Sequence, residues 1–178
     1  MKEQAEELRK LIRNIPDFPE KGIVFRDITP LALTPDALRD CAKQLIKQFD
    51  GAEIDLVAGI ESRGFIIGTA VAMELGVGLA LVRKKGKLPY ETVSETYSLE
   101  YGSDSVEMHT DAVKAGERVL VIDDLLATGG TAAATCRLIE RLAGTVVGCG
   151  FIIELDFLEG RNLLENRKIV SLLHYETE

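Results

Sequence analysis

The sequence is poor in cysteine, in histidine and in net positive charge. Its three cysteines, Cys41, Cys136 and Cys149, are odd in number, far apart along the chain and set in apolar surroundings. They fit neither a disulfide framework nor a zinc site, and buried reduced thiols are expected. The two histidines, His109 and His174, have no partner pattern and receive no role. Lys plus Arg is 21 against 29 Asp plus Glu, a net charge of −8. That balance disfavours non-specific binding to nucleic acid or to an anionic membrane, leaving room only for a local basic patch. No apolar run approaches the roughly 20 residues of a membrane helix. The opening MKEQAEELRKLI is charged throughout and lacks the apolar core of a secretory signal. A soluble, cytoplasmic protein is expected. No repeat or low-complexity tract occurs. No G-x-x-x-x-G-K-[ST] is present, and no G-x-G-x-x-G follows a strand, so neither a Walker A loop nor a Rossmann fingerprint is at hand.

What is present is ordinary globular composition, 46% apolar and 28% charged over 178 residues. At about 150 residues per domain this predicts one domain, able to bury its core without disulfide staples. Residues 2 to 15 read as an amphipathic helix with Leu8, Leu11, Ile12 and Ile15 on one stripe, ended by Pro16 and Pro19. FPEKGIVFRDITP has no helical period and reads as a structured loop or short strand. A second helix has Thr34 as N-cap, Pro35 in its first position and Asp36 on its dipole, with Leu38, Cys41, Ala42, Leu45, Ile46 and Phe49 on one face. It closes at Asp50-Gly51.

From residue 55 onward, short apolar runs (DLVAGI, GLALVR, RVLVIDD, TVVGCGFII and KIVSLL) alternate with the helix-like FIIGTAVAMELG and TAAATCRLIERLAG. This alternation predicts an α/β domain with an open, mostly parallel twisted sheet flanked by helices. Strands buried on both faces need no polar–apolar alternation, and these show none. Residues 83 to 104, RKKGKLPYETVSETYSLEYGSD, form a polar interval whose second half alternates like a strand. A connection this long inside a compact domain is usually functional or disordered.

The segment that carries chemistry is VLVIDDLLATGGT, residues 119 to 131. β-favouring residues run into Asp123 and Asp124, then a small-residue turn, then a helix. Ligands of open α/β sheets bind beyond the carboxyl ends of the strands, where this pair would sit. Backbone N–H groups from Ala127 to Thr131 would converge on an anion at a helix N-terminus. Gly129 and Gly130 permit close approach, and Thr128 and Thr131 add hydroxyls. One phosphate in the loop beside two carboxylates suggests a phosphorylated sugar.

This stretch resembles the phosphoribosyl-pyrophosphate motif of the type I phosphoribosyltransferases: apolar strand, two acids, small turn and Thr-Gly-Gly-Thr, in order. Further stretches, IPDFPEKGIVFRDITP, ESRG, RKKGKLP and SLEYG, are similar to the adenine-using members of that family. The similarity covers nearly the whole chain and weakens over residues 89 to 96, where YETVSETYS replaces a Pro-rich middle, and in the last twenty. The resemblance implies the family fold with a small N-terminal hood (residues 1–34) and a mobile lid (84–104). It implies transfer of a phosphoribosyl group from phosphoribosyl pyrophosphate to adenine, through an oxocarbenium-like transition state, giving AMP and pyrophosphate in purine salvage. A homodimer is also implied.

By the same resemblance, Asp123 and Asp124 would bind the ribose hydroxyls and favour a cationic sugar, and residues 127–131 would grip the 5′-phosphate. Glu61, Ser62 and Arg63 would form the pyrophosphate loop, joined by Arg83, Lys84 and Lys87 from a run that also holds Lys85. Glu100 and Tyr101 would be lid-tip groups, Glu100 handling the proton lost as the base attacks. Val24, Phe25 and Arg26 would line the base pocket, with Leu155 opposite. Mg2+ would be held mainly by substrate oxygens and water, with no direct protein ligand. Two alternatives stay open. One is a 6-oxopurine (xanthine-type) substrate, because base choice rests on backbone hydrogen bonds. The other is a non-catalytic regulator that senses phosphoribosyl pyrophosphate, because fold does not fix function.

Overall fold

Val119, Leu120, Val121 and Ile122 are consecutive and all buried, so the strand that carries them has no face toward water. It is the middle of the molecule. In the computed structural model, which describes residues 2–98 and 102–177, this strand, β7 (Arg118–Leu126), lies between β3 (Leu56–Ile60) and β8 (Thr145–Leu155). Beyond β3 comes β4 (Gly78–Lys84), and beyond β8 comes β9 (Ile169–Tyr175); all five run parallel. The sheet continues past β4 with β6 (Ser103–His109) and β5 (Thr92–Ser98), an antiparallel hairpin.

Helices cover both faces. Helix α5 (Gly130–Arg141) packs its buried Ala132, Ala133, Leu138 and Ile139 against Val119, Val121 and Phe151. Helices α3 (Ala37–Gln48) and α4 (Gly64–Leu75) lie on the opposite face against Leu120 and Ile122. Adjacent residues of β7 thus point into different apolar layers, which is why the run is continuously apolar. The expected α/β sheet is borne out.

The N-terminal part forms a separate two-stranded sheet, β1 (Arg13–Ile15) with β2 (Phe25–Asp27), preceded by α1 (Lys2–Lys10) and followed by the short α2 (Thr29–Leu33). Here two boundary expectations fail. The first helix ends at Lys10, not near Ile15. Arg13 pairs across the small sheet with Asp27, donating to Asp27 Oδ2 from Nε at 3.0 Å and from a terminal nitrogen at 2.6 Å. Strand pairing thus captures the residues that would have been the helix's last turn. The second helix starts at Ala37 with Asp36 as its N-cap residue, in a left-handed conformation and without a side-chain cap bond. Thr34 instead closes α2, its hydroxyl donating to Pro30 O at 2.8 Å. The strand-like alternation in the second half of the polar interval is borne out by β5, which pairs with β6. Glu95 on β5 is anchored to α5 by Arg137 (2.6 Å) and Arg141 (3.2 Å).

Asp27 holds the hood together. It accepts from the Thr29 backbone N–H at 2.9 Å, from the Thr29 hydroxyl and from Arg13. The Thr29 hydroxyl bond, aided by Arg13 and opposed by burial, draws its carboxyl down from 3.8 to about 2. A depressed folded-state pKa gives stability that is complete above the unfolded value and disappears as pH falls through the folded one. Wild type should therefore melt above Asp27→Asn at pH 7, the gap closing between about pH 4 and about pH 2. An equal gap at both extremes, read by calorimetry, would remove this role.

Candidate active site

The carboxyl ends of β3, β4, β7 and β8 lie along one edge of the sheet, and Glu61–Arg63, Arg83, Lys84, Lys87, residues 123–131 and Leu155 stand at or just beyond them. Asp123 and Asp124 follow the four fully buried residues of β7, with Leu125 and the buried Leu126 after them. Asp124 is only 4% exposed, and its backbone N–H donates to Asp123 Oδ1 at 2.9 Å. Arg63 Nε stands 3.0 Å from Asp124 Oδ2. That ion pair is poorly angled for a hydrogen bond, and Oδ2 is buried with no donor. Burial lifts both carboxyls above their ordinary range. Asp123 rises further, through burial and then the neighbouring Asp124 charge, while Arg63 restrains the rise at Asp124. Two crowded carboxyls, one of whose oxygens has no donor, are suited to accept hydroxyl protons or to face a positive centre.

Residues 127–131 form the turn into α5. Gly129 sits at φ +81° as the N-cap residue of that helix. The first amides of a twelve-residue helix have no partner within the helix and carry the positive end of its dipole. The loop is braced from outside by Gly160. A methyl group at either Gly129 or Gly160 would overlap the other's stretch of backbone, Gly160 meeting Ala127 O. The Thr131 hydroxyl lies 3.0 Å from that of Tyr97. Thr128 is exposed at the mouth.

The ESRG segment connects β3 to α4 and touches the acid pair directly: a Cβ on Gly64 would collide with Asp123 Oδ1. Glu61 gathers the basic run. It accepts from Arg83 Nε (3.0 Å), from the Lys84 backbone N–H (3.0 Å) and from Lys87 Nζ. Burial pushes the Glu61 carboxyl up, but those donors together hold it below its usual range. Lys84 Nζ bonds Asp104 and, at 2.6 Å, Tyr97 Oη. Arg63, Arg83, Lys84 and Lys87 therefore share one edge, each with an internal carboxylate partner. Ser62 lies in the turn between Glu61 and Arg63.

On the hood side, Phe25 meets Phe18 edge-on with centroids 5.3 Å apart, and the Arg63 guanidinium lies 4.8 Å above the Phe25 ring. Arg26 turns its side chain toward the C-terminal strand, 4.1 Å over Tyr175, while its carbonyl accepts from Arg63 at 3.4 Å. Val24 and Leu155 are both half-buried. Glu100 and Tyr101 lie outside the described residues. Asp27, Asp104, Tyr97 and Gly160 were not picked out. Tyr97 and Asp104 stand in the polar interval whose alternation signals a strand but does not say which of its side chains turn inward.

The fold also brings Cys136 and Cys149 together, with Sγ atoms 3.6 Å apart, although they are distant in sequence; both are buried and unbridged. Among the described residues, Glu154, Asp156 and His174 offer ligand atoms near enough to share a cation. Arg161 already binds Glu154 through two bonds (2.5 and 2.8 Å), and Ser171 adds a third. No helix among the described residues is long and apolar enough to cross a membrane.

Residues 28–169 match the family model of the phosphoribosyl transferase domain. An adenine phosphoribosyltransferase of Methylococcus capsulatus is 57% identical over 170 residues, 96% of this chain and 99% of that protein. The crystal structure of adenine phosphoribosyltransferase from Thermoanaerobacter pseudethanolicus is 50% identical with a TM-score of 0.93, covering 96% of this chain and 99% of that one. The Saccharomyces cerevisiae enzyme, complexed with an imino-altritol bisphosphate and adenine, is 42% identical with a TM-score of 0.90, covering 97% of this chain and 100% of that one. Fold and site together define a phosphoribosyl transferase domain. Within that class the chain belongs to the adenine phosphoribosyltransferase family.

Proposed function

We propose that the protein transfers the phosphoribosyl group of phosphoribosyl pyrophosphate to adenine, releasing AMP and pyrophosphate. The observation that carries this reading is the buried acid pair leading directly into a helix-N-terminal anion loop, with Arg63 bridging from the acids to the Phe25 ring. The amides of residues 127–131 and the Thr131 hydroxyl take the 5′-phosphate. Asp123 and Asp124 accept the ribose hydroxyls and favour positive charge as the sugar carbon loses its pyrophosphate. Arg63, Arg83, Lys84 and Lys87 exchange their internal carboxylates for pyrophosphate oxygens. Adenine stacks on Phe25 between Val24, Arg26 and Leu155. The 84–104 lid closes over the site and excludes water. By the family resemblance, Glu100 takes the proton from the base, and Tyr101 is a second lid group.

Mg2+ suits this site: Asp124 Oδ2 is buried with no hydrogen-bond donor, and beside it a hard cation would be held chiefly by substrate oxygens and water. Bound there, it would neutralise the departing pyrophosphate. A cytoplasmic setting goes with three buried, unbridged thiols. A homodimer is supported by Leu33 and Met73, 78% and 77% exposed on one shared groove.

The test is Mg2+-dependent product formation with adenine, hypoxanthine, guanine and xanthine in parallel. AMP should dominate. Preference for a 6-oxopurine would overturn the base assignment, and ligand binding without turnover would favour the regulator. Arg63→Ala should weaken pyrophosphate and phosphoribosyl pyrophosphate about 10- to 100-fold, the worth of lost charge-assisted hydrogen bonds. AMP affinity should change far less. Matching losses in titration calorimetry would place Arg63 outside the pyrophosphate subsite.

A further inference from the structure

The ring of Tyr97 is only 6% exposed. It packs in the apolar layer beneath α5, with Val106 and Ala132 in the same cluster. Its hydroxyl is the one polar atom of that side chain, and three groups from three parts of the chain meet it. Lys84 Nζ, at the end of β4, donates to it at 2.6 Å. Thr131 Oγ1, in the first turn of α5, lies at 3.0 Å. Asp104 Oδ2, across the hairpin on β6, lies at 3.3 Å. Lys84 also bonds Asp104, which holds the charge pair beside the hydroxyl.

A phenol hydroxyl has one proton to donate and lone pairs to accept with. Lys84 fills the accepting role. Thr131 Oγ1 also donates to the phenol oxygen here, and the Tyr97 proton goes to Asp104 through the longer contact. A phosphate ester can only accept. When Thr131 turns its own proton to a phosphate, its oxygen is free to accept, and the Tyr97 proton turns from Asp104 to it. The chain then runs in one direction: Lys84 Nζ–H to Tyr97 Oη–H to Thr131 Oγ1–H to phosphate. Hydrogen bonds aligned in this way polarise one another.

We infer that Tyr97 is a positioning residue that couples occupancy of the phosphate loop to the pyrophosphate-side lysine and to the β5–β6 pair. This deepens the reading of residues 127–131 as the 5′-phosphate loop and rests on it. Through the relay, the sugar phosphate at one end of the donor helps set Lys84 at the other.

The test is a double-mutant cycle on the full-length protein, using Tyr97→Phe, Thr131→Val and the double variant. Ribose 5-phosphate is the binding probe, and KM for phosphoribosyl pyrophosphate and kcat are read alongside. Tyr97→Phe keeps the buried ring, and its Tm is recorded to confirm folding. Ribose 5-phosphate should bind Tyr97→Phe about tenfold more weakly, and the donor KM should rise about tenfold with kcat changed less than about threefold, as expected for one hydrogen bond. The double variant should bind no more weakly than Thr131→Val alone, because the chain is already cut. Losses that multiply would overturn the relay, and so would a fall in kcat with KM unchanged. Wild-type protein that fails to bind ribose 5-phosphate would overturn the phosphate-loop reading and the relay with it. Wild-type binding with multiplying losses would overturn the relay alone.

Discussion

Asp124→Asn should lower kcat/KM by about 100-fold or more while leaving the fold intact, with most of the loss in kcat. The replacement is nearly isosteric, and Asp124 is enclosed where the effective dielectric is well below that of water. Its charge therefore acts strongly on any positive centre that develops nearby, and removal of one such preorganised group typically costs 10²–10³ in rate. The charge matters most in the transition state, when the sugar carbon is most electron-poor, so the loss belongs in kcat more than in KM. Arg63 would lose its carboxylate partner. It is part-exposed, so solvent and its contact with Phe25 limit the damage to stability. Steady-state kinetics with both substrates varied, alongside a melting curve, decide the matter. An unchanged kcat/KM would remove Asp124 from the chemistry.

The second large effect is expected at a residue with no side chain at all. Gly160→Ala adds one methyl where the hydrogen of Gly160 faces the phosphate loop. A Cβ there would overlap Ala127 O and come within 3.0 Å of Gly129 N. Both obstacles are backbone atoms, so no side chain can swing aside. The loop must shift, and its amides lose their convergence on a single anion. Affinity for AMP and ribose 5-phosphate should fall at least about tenfold. Overpacking of this kind costs about 1–3 kcal/mol, so Tm should drop by about 3–10 °C for a chain of this size. Titration with ribose 5-phosphate and a thermal melt check both halves. Wild-type phosphate affinity in this variant would show that the loop does not need its brace.

The two cases illustrate what could be read from the chain and what could not. Asp124 was legible because its surroundings are local: an apolar strand, a second acid, a small turn and a helix start, all within residues 119–131. Gly160 was not, because its neighbour is Ala127, thirty-odd residues away, and a glycine in a polar stretch looks like any turn. The hood shows the same divide. Its apolar stripe correctly named Leu8 and Ile12 as buried. It overran the helix end, because β1 is held by pairing with a strand twelve residues downstream. Thr34 had the right chemistry for a cap but was already engaged in ending α2.

The sequence by itself determined the strand–helix alternation of the main sheet from residue 55 onward, the place of the acid pair and the anion loop, and the family resemblance. These rest on short-range patterns: apolar runs, turn residues and adjacent charges. Only the tertiary structure decided who partners whom. Glu61 collects Arg83 and Lys87, Arg63 spans from Asp124 to Phe25, and one tyrosine hydroxyl joins a lysine, a threonine and an aspartate. The physical reason is that side-chain hydrogen bonds and ion pairs act over about 3 Å in space, and separation along the chain does not reveal which groups the packed sheet will bring that close.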